Sequence, residues 1–157
     1  MDNFLSLSCH YIGLIALTPF KGIIPKISEQ TKATRKMLNC MLDNMHYEKI
    51  NEVTYSANDY INEIDNKIYS ITNVEDNLDK AYIEVNKLKE EFKRNFLCYN
   101  LDEYDKSYKK ILLIEGCIIK NKEKIDNIKK NLNSTKKTNK EILTRVKKLN
   151  SQKKTLQ

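Results

Sequence analysis

ITNVEDNLDKAYIEV, residues 71–85, sets Ile71, Val74, Leu78, Tyr82 and Val85 three or four residues apart. That spacing returns each side chain to one side of an α-helix, whereas a half-buried strand needs strict alternation. Followed outward, the stripe comprises Ile61, Ile64, Ile68, Ile71, Val74, Leu78, Tyr82, Val85, Leu88, Phe92 and Phe96. It is one or two residues wide, the pattern of a coiled-coil seam rather than of a broad core face. The extra three-residue step at Ile71–Val74 departs from a strict heptad and predicts a local change in supercoiling there. A helix from Ala57 to Leu97 follows, about 60 Å long at 1.5 Å per residue. Such a helix has to be covered by others.

The rest of the 157 residues favours the same class. Of three Gly and two Pro, all but Gly116 lie within the first 25 residues. The remainder lacks turn punctuation, which predicts long helices and an all-α fold. A first helix is expected from about Ile27 to Glu52, opening near Ser28 and Thr31, with Leu38, Met41, Leu42, Met45 and Ile50 on its apolar side. Methionines on such a side are adaptable packing material rather than cofactor ligands. Breaks are expected near Val53–Ala57 and near Asn100, with Asp102 in the opening turn of a third helix. That helix carries Leu101, Tyr104, Tyr108, Ile111, Ile118, Ile125, Ile128, Leu132, Thr135, Ile142, Val146 and Leu149. ILLIEGCII, residues 111–119, is its broadest apolar patch. Gly116 inside it suits close helix approach or a break, and NSTKKTN, residues 133–139, reads as a weak joint. The chain thus divides into an apolar segment 1–25, a coiled-coil region 26–99 and a basic helical region 100–157. Either an extended helical hairpin or a three-helix arrangement satisfies these elements.

FLSLSCHYIGLIAL, residues 4–17, is the most apolar run. The preceding MDN carries an acid and no base, unlike a secretory n-region, and 14 residues fall short of the roughly 20 that span a bilayer. A packed or partner-docking segment, a membrane-associated one and a cleaved one all remain open at this point.

Charge is uneven. Residues 120–157 hold 13 Lys and Arg against Glu123, Asp126 and Glu141, a net of +10 within a chain total of +7. Basic tails of this sort attract nucleic acid, anionic membrane or acidic partners. Apolar residues at helical spacing continue through it, however, and no aromatic follows Tyr108 to stack on bases. The expectation is a solvated helix exterior with peripheral membrane contact, and no nucleic acid. The scattered Cys9, Cys40, Cys98 and Cys117 read as free thiols of a reducing compartment.

No phosphate loop, HExxH or nucleophile motif occurs, so no catalytic residue, cofactor or metal is expected. Glu63, Asp65, Glu75, Asp76 and Asp79 are expected to face water or to pair at i,i+4, as Glu63–Lys67 and Asp76–Lys80. A carboxylate-bridged metal bundle would want inward Glu-x-x-His motifs, which His10 and His46 do not supply.

Residues 30–95 resemble the first subunit of the biogenesis of lysosome-related organelles complex. Ile71, Asn73, Val74, Glu75 and Asp76 match its most recognisable stretch, Ile83, Glu84 and Val85 follow more loosely, and Tyr60, Ile61, Ile64 and Ile68 fall on its apolar seam. RKMLNCMLDNM, residues 35–45, resembles its earlier helix. Asn77 stands where that family has a tryptophan, and about 60 further residues follow where the family ends. The resemblance implies a non-catalytic coiled-coil subunit of a cytoplasmic hetero-oligomer serving endosomal or lysosomal vesicle trafficking or tethering. Sister helical subunits would then cover the seam Ile61, Ile64, Ile68, Ile71, Val74, Leu78, Val85, Leu88, Phe92, Ile111, Ile118, Ile125, Ile128 and Leu132. Two alternatives rest on the residues alone: a self-contained helical bundle regulating membrane fusion, and a kinetochore or cytoskeletal subunit that binds through its basic C-terminal helix.

Overall fold

The computed structural model describes residues 22–98 and 100–155. These residues form three α-helices: α1 (Ile23–Asn44), α2 (Ile50–Arg94) and α3 (Leu101–Thr155), with a short 3-10 turn at Phe96–Cys98. No strand occurs among the described residues, and the three-helix arrangement is the all-α form adopted.

The helix ends have local causes. α1 starts earlier than the sequence suggests. Gly22 is its N-cap, without a side-chain hydrogen bond, and Pro25 sits in the first turn, where its missing N–H costs nothing. α1 stops at Met45, which takes a left-handed conformation (φ 56°, ψ 25°) while the His46 N–H donates to the Met41 carbonyl at 3.2 Å. This is the usual helix stop, built here without the glycine that normally eases it. The first reversal therefore falls at residues 45–49 rather than at Val53–Ala57. Val53 and Ala57 are fully buried, and the Thr54 hydroxyl donates back to the Ile50 carbonyl at 2.8 Å, so this β-branched stretch is held inside α2.

The second reversal lies where expected. Asn100 caps α3: its side-chain oxygen accepts from the Asp102 N–H and its carbonyl from the Tyr104 N–H, both at 2.9 Å. Asp102 and Glu103 place negative charge at the positive end of the helix dipole. NSTKKTN is no joint, because α3 runs through it. The Thr135 and Thr138 hydroxyls donate to carbonyls one turn back, and Asn139 points inward.

The chain divides into two compact units. In the first, described residues of 20–69 and 128–157 bring together α1, the start of α2 and the end of α3. Its apolar core has two parts. Leu38, Met41, Ile50, Val53, Ala57, Ile142 and Val146 form one, and Ile27, Ile64 and Leu132 form the other, flanked by Ile24, Tyr60, Ile68 and Ile128. A polar contact accompanies them: Asn139 Nδ2, fully buried, donates to Thr31 Oγ1 and to the Thr135 carbonyl, each at 3.0 Å. The pairs Thr31–Asn139 and Asn39–Arg145 show that α1 and α3 run parallel here, and Asp65–Lys136 at 2.6 Å ties in the antiparallel α2.

The second unit, described over residues 70–127, is the hairpin of α2 and α3. Val85, Ile111, Ile114 and Ile118 form its core cluster with Ala81, Tyr82, Leu88, Phe92 and Cys117, and Ile71, Leu78 and Ile125 are fully buried. Tyr104 stacks on Phe92 at 4.7 Å and meets Phe96 edge-on at 4.8 Å near the reversal.

Besides Val53, the buried residues of α2 recur at 50, 57, 64, 71, 78 and 85, every seventh position. The heptad passes Ile71–Val74 unbroken, so the expected change of supercoiling has no counterpart in the burial pattern. The wandering stripe arose from mixing this row with the flanking half-buried positions Ile61, Ile68, Val74 and Tyr82.

Candidate interaction surfaces

The seam foreseen for sister subunits is covered by the chain itself. Ile64 and Leu132 are buried together with Ile27 of α1, and Ile68 and Ile128 pack beside them, with Ile61 half-buried. Ile71, Leu78, Val85, Ile111, Ile118 and Ile125 are buried within residues 70–127, and Val74, Leu88 and Phe92 are half-buried. The physical reason is the pair of reversals. Two short turns fold one amphipathic helix back on the next, and the apolar rows meet inside one molecule.

What remains outside is a different set. In α3 the buried heptad positions are Ile111, Ile114, Ile118, Asn121, Ile125, Leu132, Asn139, Ile142 and Val146. Leu112, Leu113 and Ile119 fall off this register and are 44%, 73% and 41% exposed. The ILLIEGCII patch is thus two surfaces back to back, one core and one outward. Its breadth was visible in the sequence. Its division appears only once Ile114 and Asn121 are placed in the heptad. Gly116 lies between Leu113 and Ile119, and a Cβ added there would meet nothing within 4 Å. It is neither a close approach nor a break. A shallow groove of about 340 Å³ is lined by Leu112, Leu113, Gly116, Cys117, Lys120, Asn121 and Lys124. Another, of about 380 Å³, runs along α2 by Ile83 and Glu90.

Charged side chains link the helices. Asp79 pairs with Lys122 and Glu115 with Lys89, both across the hairpin, as Asp65 does with Lys136. Two of the carboxylates expected to face water or neighbours on their own helix, Asp65 and Asp79, instead reach α3. Hydrogen bonding to Glu115 raises the Lys89 ammonium above the ordinary lysine value, and hydrogen bonding to Asp79 does the same for Lys122, which also sits 5.2 Å from the centre of the Tyr82 ring. No group of three metal-ligating side chains occurs among the described residues. Cys40, Cys98 and Cys117 are free thiols, while Cys9 and His10 lie outside the described residues, as does the apolar segment 4–17. No helix among the described residues is long and apolar enough to cross a membrane.

Comparisons with protein-family models, with curated proteins and with solved structures find no match.

Proposed function

We propose that this chain is a non-catalytic helical subunit of a larger protein assembly. Its own seam holds the bundle together, and a partner helix docks on the outward apolar ridge of α3. The observation that carries this reading is the cluster Leu112, Leu113 and Ile119, three large aliphatic side chains within eight residues, held on a regular helix but outside its core register. Exposed apolar residues grouped on a folded surface mark interaction sites, and a helix laid against aliphatic anchors that recur on one side of its partner, as Leu112 and Ile119 do seven residues apart, is a recurrent recognition mode. The partners are other helical chains in a hetero-oligomer. Trafficking or tethering at endosomal or lysosomal membranes, from the cytoplasmic side, is the setting that the resemblance over residues 30–95 supports. Replacing Leu113 by Glu tests the docking surface. The helical proteins that co-purify with the unaltered chain from its native cells should be lost with the variant, which should melt at the same temperature. Equal recovery with both chains would overturn the proposal.

A second reading has its own observation. Residues 20–69 and 128–157 hold 17 Lys and Arg against eight acids, and Lys32, Arg35 and Lys36 of α1 and Lys137, Lys140, Lys147 and Lys148 of α3 are exposed. This favours peripheral contact with anionic membrane. Pelleting with phosphatidylserine-containing vesicles should then fall steeply with salt, and salt-independent pelleting would dispose of it.

A further inference from the structure

We infer that the outward side of α3 pairs with a second copy of this chain, α3 against α3, antiparallel about a two-fold axis at Gly116. The pairing rests on the docking role proposed for Leu112, Leu113 and Ile119, and it names the first helix laid on that ridge. Other chains of the assembly would then join a pair.

The ridge has a heptad of its own. Lys109, Gly116 and Glu123 fall seven residues apart, as do Leu112 and Ile119 beside them, so both rows keep to one outward side of a regular helix. Lys109, Leu112, Ile119 and Glu123 are all exposed, and none belongs to the internal core.

These rows complement themselves in one orientation. In a parallel pair like residues meet, which sets Lys109 on Lys109 and Glu123 on Glu123. Turned antiparallel about Gly116, Lys109 of each copy comes level with Glu123 of the other, about 10 Å along the helix from the axis. Leu112 then lies against Ile119. Two ion pairs bracket two aliphatic layers, and charges at such flanking positions select orientation in coiled coils. One like-charged approach opposes this: Asp105 comes level with Asp126 of the second copy. Lys109 Nζ, 3.2 Å from Asp105, offsets that charge. Leu113 stays at the edge of the pair, open to the other chains. A two-fold contact of this kind uses the same patch on both copies and stops at two.

Gly116 is the second observation. A glycine inside a helix is destabilising relative to alanine. No packing within this chain asks for one, since a Cβ there would meet nothing within 4 Å. At the axis of the pair, the missing side chain lets the two backbones approach closely.

Sedimentation equilibrium of the full chain tests the pairing. The unaltered chain should pass from monomer to dimer between low and high micromolar concentration. Lys109→Glu opposes carboxylates in both ion pairs and Glu123→Lys opposes ammonium groups, so each alone should dimerise about tenfold more weakly or worse. Both positions are exposed, so each variant should keep its helical circular dichroism. An equimolar mixture of the two variants restores opposite charges at both pairs and should dimerise like the unaltered chain. A monomer at every concentration, a dimer indifferent to both substitutions, or a mixture that stays monomeric would each overturn the inference. If Leu113→Glu still removes the co-purifying chains in that event, the ridge docks another protein; if it does not, the docking role falls as well.

Discussion

Two regions built on the same pair of helices differ in what they bury and what they leave outside. The unit of residues 20–69 and 128–157 has α1 as a third described helix, a buried Thr31–Asn139 contact and a net charge of +9, from 17 bases and eight acids. Residues 70–127 have 11 bases and 12 acids, a net of −1, and carry the outward ridge of Leu112, Leu113 and Ile119. The heptad is the same in both. Buried amides occur in both, with different partners: Asn139 donates to the Thr31 hydroxyl of the third helix, and Asn121 to the Cys117 sulfur at 3.7 Å, since an unpaired polar group in a core costs far more than its pairing gains. In the other unit the exposed aliphatic side chains Leu112, Leu113 and Ile119 lie off the register of α3, while the large apolar side chains exposed in the first are Met45, Tyr55 and Tyr69. A shared seam therefore sets the fold, and the residues outside it differ between the two regions.

The largest expected effects come from emptying the cores. Ile64→Ala and Ile118→Ala should each cost about 2–5 kcal/mol by denaturant titration, since both side chains are fully buried and surrounded by aliphatic neighbours. Hydrogen exchange should locate the loss from Ile64→Ala at residues 20–69 and 128–155, and from Ile118→Ala at 70–127. Loss spread evenly over both regions would break the distinction between them.

Removing the buried amide comes next. Asn139→Ala leaves Thr31 without its donor and should cost about 1–3 kcal/mol. The pair Asn139→Leu with Thr31→Val should restore most of that, at the expense of a unique register, seen as broadened NMR lines. A costless Asn139→Ala would mean that the polar contact does not distinguish this region.

Two substitutions should stabilise. Gly116→Ala places a methyl in open space on a regular helix and should gain about 1 kcal/mol. Met45→Gly relieves a left-handed residue at the end of α1 and should gain about 0.5–1 kcal/mol. Each would appear as a higher melting temperature.

The smallest effect is alkaline. Lys89 and Lys122 hold their protons more tightly in the folded chain because Glu115 and Asp79 accept from them. A raised folded-state value contributes stability that is complete below the unfolded lysine value of about 10.4 and is lost as pH climbs through the folded value. Both pairs reach solvent, so screening holds each contribution to about 0.2–1 kcal/mol. The melting temperature should decline above that pH, and less so in Lys89→Met with Lys122→Met.

Much of the fold was legible in the sequence because narrow apolar rows at steps of three and four permit little else. The reversal at Asn100 could be read from its capping side chain and the acids behind it. The first reversal could not, since the left-handed residue is Met45 and no glycine announces it. NSTKKTN misled because composition does not reveal that Asn139 faces Thr31, more than a hundred residues away. The seam residues lie on buried and half-buried rows of α2 and α3, and what covers such a row depends on where the turns fall. The outward ridge stayed hidden inside ILLIEGCII, because an apolar run has no visible inside and outside until the heptad on both sides fixes its phase.

The central claim is that this chain covers its own seam. An isotope-filtered NOE experiment on an equimolar mixture of methyl-labelled and unlabelled chains tests it most directly, through the methyl contacts of Ile64 with Leu132. Those contacts should appear within labelled chains and be absent from the spectrum filtered for contacts between chains. A strong Ile64–Leu132 signal in the filtered spectrum would show that another molecule supplies the cover, and would contradict the account.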